Sequence, residues 1–140
     1  MYIAGRANYA HDPVELIVSY FNTRIDENPN VIILCEAHSR GLVDVINSVK
    51  QLTPERRSNI YLLAVSPGQF ADKELFGNVV HLVSRGDIIP YLDPVGMIKN
   101  YDTIEFLRPI DSCFPLDHSF TSKTFDKRKH AHHKRLYKNE

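Results

Sequence analysis

Two kinds of hydrophobic pattern alternate along this chain. Val14, Ile17, Val18, Phe21 and Ile25 follow helical spacing, which predicts a helix with one buried stripe. It opens on Asp12-Pro13-Val14-Glu15, where Asp caps the free N–H groups, Pro fits the first turn and Glu lies three residues on. Asn28-Pro29 stops it. Val31–Cys35 is then a short, wholly apolar run, as expected of a strand buried on both faces. Helical spacing returns with Leu42, Val45, Ile46, Val49 and Leu52 and ends before Thr53-Pro54. Ile60–Val65 predicts a second strand, closed by Ser66-Pro67-Gly68, and a short helix from Ala71 to Phe76 stops at Gly77. Val79–Val83 predicts a third strand and Thr103–Leu107, after a Pro-rich connection, a fourth. From about Ser119 the pattern is helical and becomes strongly basic; Lys127–Lys138 is the one shift in composition and is expected to fray.

Helices alternating with short apolar strands predict one α/β domain over residues 1–140. Its mostly parallel sheet of about four strands should be covered by helices on both faces, with right-handed crossovers. That architecture already points to a site. Ligands of open parallel sheets sit outside the carboxyl ends of the strands. The segments expected there are Glu36–Gly41, Ser66–Phe70, Ser84–Pro90 and Arg108–Ser119.

Composition removes several function classes. Lys plus Arg equals Asp plus Glu at 17 each, so no overall charge draws the chain to nucleic acid or an anionic membrane. The longest purely apolar run, Val31–Cys35, is far short of the roughly 20 residues of a membrane helix, and Met1–Arg6 does not resemble a signal peptide. Two cysteines, Cys35 and Cys113, make no disulfide framework, and Cys35 reads as a small core residue. A reduced, cytoplasmic protein is the expectation.

Candidate chemistry enters at the first strand-to-helix turn, Ala37-His38-Ser39-Arg40-Gly41. A turn that sharp strains the central residue and brings the residues two before and two after it together, so those must be small. Ser39 then stands at a helix N-terminus, whose free N–H groups favour developing negative charge, and the Arg40 N–H is a candidate oxyanion donor. A capping serine in an ordinary turn is the plainer alternative.

The turn resembles the Gly-x-Ser-x-Gly nucleophile elbow of the α/β-hydrolases, with Ala37 at the first small position. That resemblance implies an acid and then a histidine, each after a later strand. Asp87 follows the third predicted strand in Ser84-Arg85-Gly86-Asp87-Ile88-Ile89-Pro90. His118 follows the fourth in Leu116-Asp117-His118-Ser119-Phe120, which is similar to the histidine loop of lipase-like members. The likeness covers most of the chain from about Val31 to Phe125. It assigns Ser39 as nucleophile, His118 as base and Asp87 as the acid that orients it, with no cofactor and no metal. Asp93, Asp111 and Asp117 are rival acids. The pattern also resembles an uncharacterised hydrolase-like family of the chlamydiae, which brings no activity with it.

The chain departs from the family before the elbow. Only 38 residues precede Ser39, where a complete member has several strands and the loop supplying the second oxyanion N–H. Tyr2–Ala10, with Gly5 and Ala7, is the candidate substitute. A sheet edge exposed by the missing strands would favour a homo-oligomer.

Other signals carry less. Cys35 and Arg40 are separated by four residues where a phosphatase loop needs five, and Cys35 falls within the predicted strand. Arg40 at a helix N-terminus also suits a phosphate or carboxylate, giving a binding module without catalysis. His130-Ala131-His132-His133 offers imidazoles to a metal but has no Cys or carboxylate set beside it, so a solvated basic helix is the simpler reading. Arg128, Lys129, Lys134, Arg135 and Lys138 form a basic patch with no aromatic platform for nucleic acid. Arg85-Gly86-Asp87 matches an adhesion tripeptide in letters only. His38 reads as structural, and His81 as a hydrogen-bonded core or edge residue. Two hypotheses result: a small serine hydrolase acting on an acyl ester or thioester, or a silent hydrolase-like domain kept for binding or assembly.

Overall fold

The computed structural model describes residues 2–4, 12–110 and 114–137. Five parallel strands form one sheet in sequence order: β1 (Tyr2–Ala4), β2 (Ile33–Ser39), β3 (Ile60–Pro67), β4 (Asn78–Ser84) and β5 (Ile104–Leu107). The expected α/β class holds, and the sheet has one strand more than the four predicted. The three residues of β1 carry too little pattern to be read as a strand; pairing with β2, from Tyr2–Glu36 to Ala4–His38, makes them one.

Helix α1 (Pro13–Glu27) starts where its cap predicts, the Asp12 carboxylate accepting the Val14 N–H at 3.0 Å. Helix α2 (Gly41–Lys50) follows the elbow and is continued by the single turn α3 (Pro54–Arg57), capped by Thr53. The expected helix over Ala71–Phe76 is only a 3-10 turn, Lys73–Leu75, because Phe70, Ala71 and Phe76 are packed into the core and little chain is left for a full turn. The Pro-rich connection contains α4 (Pro94–Lys99), with Asp93 as its cap. Helix α5 (Lys123–Tyr137) ends the described chain.

The two faces of the sheet bury different rows, as the side-chain alternation of strands requires. Ile33, Cys35 and Ala37 of β2, with Leu62 and Ala64 of β3, pack against Ile17, Phe21 and Ile25 of α1 and Val45 and Val49 of α2. Leu63, Val65 and Leu82 pack on the other face against Phe125 of α5. Helices therefore cover both faces. The basic segment expected to fray is continuous helix to Tyr137. Several of its side chains are engaged, among them Arg128, which pairs with Glu105 at 3.1 Å, and His133, which meets Glu36 on β2. No described helix is long and apolar enough to cross a membrane.

Because all five strands run the same way, the chain leaves every strand at one end of the sheet. The carboxyl ends of β2, β4 and β5 thus present the three segments that contain Ser39, Asp87 and His118.

Candidate functional site

The elbow is built by an irregularity of β2. The strand does not end at Cys35 as expected but continues through Glu36-Ala37-His38-Ser39, because the β3 backbone runs alongside and pairs with it. Between His38 and Ser39 the register shifts, and Ser39 pairs with Pro67. Ser39 has φ 51°, in the left-handed region that residues other than glycine seldom adopt. Arg40 is already helical at φ −62° and ψ −29°, so strand becomes helix across a single strained serine. Ala37 and Gly41 on either side are buried, while Ser39 keeps part of its surface open to solvent.

Two further loops bring partners to that serine. After β4 the chain turns through Arg85 and Gly86, and the Asp87 side chain is fully buried. After β5 it returns through Phe114–His118, with a cis Phe114–Pro115 bond, and pairs across Asp87 by an antiparallel bridge to Leu116. The Ser39 Oγ–H donates to His118 Nε2 at 2.8 Å, and His118 Nδ1–H donates to Asp87 Oδ2 at 2.7 Å. Asp87 Oδ1 accepts the Ile89 N–H at 2.9 Å, so both carboxylate oxygens are held. The imidazole has one tautomer that suits both neighbours, protonated at Nδ1 and open at Nε2. The His118 side chain is 30% exposed and Asp87 is not exposed at all, so the ring lies between solvent and a buried acid.

The rival acids are otherwise occupied. Asp117, next to His118 in sequence, accepts hydroxyl hydrogens from Ser84 at 2.5 Å, Ser122 at 2.6 Å and Thr124 at 2.7 Å. Burial alone would raise its pKa; the donors Ser122, Ser84 and Thr124 together outweigh that and hold it below the usual carboxylate value. Asp93 caps α4 through the Gly96 N–H and also accepts the Phe70 N–H at 2.9 Å. Asp111 lies outside the described residues.

His38 makes structural contacts, and they fall on the histidine loop. Its Nε2–H donates to the His118 carbonyl at 2.6 Å, and its ring lies 4.9 Å from the His118 ring, tilted by 41°, and meets the Phe120 ring edge to face at 5.9 Å. Burial is the largest influence on it and lowers its pKa below the ordinary histidine value, with the bond to the carbonyl opposing. His81 is a core histidine: the Ala71 N–H donates to Nε2 at 3.0 Å and Nδ1 bonds Thr103 Oγ1 at 2.7 Å. Cys35 is buried and its thiol pKa is pushed up to about 12, first by burial, which suits a core residue and not a nucleophile.

Neither the Asp117 hydroxyl cluster nor the bond from His38 to His118 was legible in advance. Ser84, Ser122 and Thr124 are common loop and helix-start residues, and only their convergence gives them meaning. Among the described residues no three His, Cys, Asp or Glu side chains gather as a metal site requires, and His133 of the histidine run faces Glu36. The segment considered for a second oxyanion donor lies outside the described residues from Gly5 on; β1 ends beside the elbow, Ala4 pairing with His38. Cys113 is likewise outside them. No protein-family model matches this sequence, and searches of curated proteins and of solved structures returned no match.

Proposed function

We propose that this protein is a serine hydrolase of acyl esters or thioesters, with Ser39 as nucleophile, His118 as general base and acid, and Asp87 as the residue that orients and stabilises the imidazole. One observation carries the reading: an unbroken hydrogen-bond path from a solvent-reachable serine in a left-handed elbow, through His118, to a buried carboxylate.

The chemistry follows from the geometry. As Ser39 Oγ attacks the acyl carbon, its proton passes to His118 Nε2, and the imidazolium formed is stabilised by Asp87 across the 2.7 Å bond. Negative charge on the former carbonyl oxygen develops at the N-terminus of α2, where the Arg40 N–H has no intrahelical acceptor. His118 then returns its proton to the departing alkoxide or thiolate, leaving an acyl-serine. Water, deprotonated by the same imidazole, releases the acid and restores the Ser39 hydroxyl. An acyl group is supported by the apolar side chains at the rim: Ile88 adjoins Asp87, Phe114 and Leu116 precede His118, and all three are exposed.

The test is labelling with a fluorophosphonate probe, the adduct located by mass spectrometry. An adduct on Ser39 is expected, absent in Ser39→Ala and much reduced in His118→Ala. No adduct on folded protein would overturn the proposal in favour of a silent binding domain.

A further inference from the structure

We infer that His38 is a positioning residue for His118, gripping the backbone of the residue whose ring the adjacent Ser39 engages. The inference rests on the hydrolase reading for its consequence, although the contact itself does not.

The observation is that two consecutive residues serve one histidine. His118 Nε2 accepts from Ser39 Oγ at 2.8 Å, while its carbonyl oxygen accepts from His38 Nε2–H at 2.6 Å. In a regular strand neighbouring side chains point to opposite faces. His38 continues the row toward α5 that includes Leu34, packed in the α5-side core, and Glu36, which meets His133 of that helix. Ser39 should therefore point away from that row. The register shift between the two residues and the φ of 51° at Ser39 break the alternation and let both side chains reach the same partner.

The other ties of the His118 loop run to the β4 side of the site and to the start of α5: Asp117 accepts the Ser84, Ser122 and Thr124 hydroxyls, and Leu116 bridges Asp87. The His118 N–H bonds the Leu116 carbonyl at 2.9 Å, a local turn contact, and its ring bonds Asp87. Behind it, Lys129 of α5 donates to the Phe120 carbonyl at 2.8 Å and lies 4.2 Å over the Phe120 ring, whose edge meets His38. Apart from the reacting hydrogen bond, His38 is thus a direct link between the histidine loop and the elbow strand. Without it, the distance between Oγ and Nε2 would be set by the reacting hydrogen bond and, at one remove, by the ties of the loop to β4. Misplacement of a reacting group by about 1 Å can cost about 10²-fold in rate.

The role has a specific chemical requirement, an N–H donor at the position of Nε2. His38→Phe keeps the ring and its aromatic contacts but removes that donor; His38→Gln supplies a donor at similar reach. Saturation kinetics of fluorophosphonate inactivation should show the maximal rate falling up to about 10²-fold in His38→Phe with probe affinity unchanged, and much of the loss recovered in His38→Gln. Proton NMR supplies a readout independent of reactivity. The downfield His118 Nδ1–H signal, set by its bond to Asp87, should be sharp in the wild type and in His38→Gln and broadened in His38→Phe. If Phe is not accommodated, His38→Ala, which only removes atoms, takes its place. Equal inactivation rates and an unchanged Nδ1–H signal in the donor-less variant would overturn the inference while leaving the hydrolase reading standing. If the wild-type protein takes no adduct, the hydrolase reading fails and the NMR comparison alone decides the place of His38.

Discussion

Asp117 turns its carboxylate away from its neighbour His118 and accepts the Ser84 hydroxyl at 2.5 Å, joining the end of β4 to the loop after β5. The same two segments are pinned by the Asp117 N–H bond to the Gly86 carbonyl at 3.2 Å and by the Gly86 N–H bond to Ser84 Oγ at 3.1 Å. Asp87 and His118 are each one residue from this clamp, which sets the separation between the acid and the ring.

Replacing Asp117 by Ala leaves the buried hydroxyls of Ser84, Ser122 and Thr124 without their acceptor. Each unsatisfied buried polar group costs roughly 1–3 kcal/mol, so a loss of more than about 2 kcal/mol is expected in urea unfolding. Asp117→Asn, which keeps one carbonyl acceptor, should lose less. Equal stability of Asp117→Ala and wild type would show that the clamp does not hold the loops.

Gly86 is required by close approach. A Cβ there would lie 3.0 Å from Pro109 Cβ and 3.1 Å from Asp117 Cβ, so the acid loop and the histidine loop must part to admit it. Gly86→Ala should destabilise by roughly 1–3 kcal/mol, as overpacked sites do, and slow fluorophosphonate labelling of Ser39 more than Gly68→Ala does. At Gly68 a Cβ meets only ordinary contacts near 4 Å. Labelling rates of the two variants, compared at a temperature where both are folded, check this.

Acid should weaken the fold through His81. Burial lowers its pKa from 6.5 to about 4, so between those values the unfolded chain binds a proton that the folded chain does not. Its contribution is complete above pH 6.5 and is lost as pH falls toward 4, on the order of 3 kcal/mol in all. His81→Gln should be less stable at pH 7, having disturbed the bonds to Ala71 and Thr103, yet show a flatter decline toward pH 4. Urea midpoints at pH 7 and pH 4.5 for both proteins test it; parallel declines would exclude His81 as the source.

Cys35 should resist alkylation while the protein is folded. With its thiol pKa pushed up to about 12 and its side chain buried, almost no accessible thiolate exists at pH 8. Iodoacetamide followed by peptide mass spectrometry should find Cys35 unmodified in native protein and modified in urea. Modification under native conditions would mean that the core between β2 and α1 opens readily.

Much of the fold is written locally. The Asp12-Pro13 cap, the helical stripe from Val14 to Ile25 and the apolar runs of β2, β3 and β4 each depend on near neighbours, which is why their order could be read directly. The boundaries were less legible where a neighbouring strand decides them. Glu36 and His38 look like loop residues, but β3 pairs with their backbone, α5 meets the Glu36 side chain and the histidine loop meets the His38 ring, so β2 runs four residues past Cys35. Residues 2–4 become a strand for the same reason.

The sequence by itself determined the alternating α/β order, and with it the placing of Ser39, Asp87 and His118 at one end of a parallel sheet, because hydrophobic period and turn residues act over a few positions. Only the tertiary structure decided which loop acid meets the histidine and what His38 does. Asp87, Asp93 and Asp117 are chemically alike; they differ in the long-range partners that the fold brings to them. Asp87 meets His118 across 31 residues, whereas Asp117 is claimed by the hydroxyls of Ser84, Ser122 and Thr124 and Asp93 by backbone N–H groups. His38 reaches His118 across 80 residues at the strained serine that the spacing of Ala37 and Gly41 already implied, but through a register shift that neither residue type nor spacing encodes.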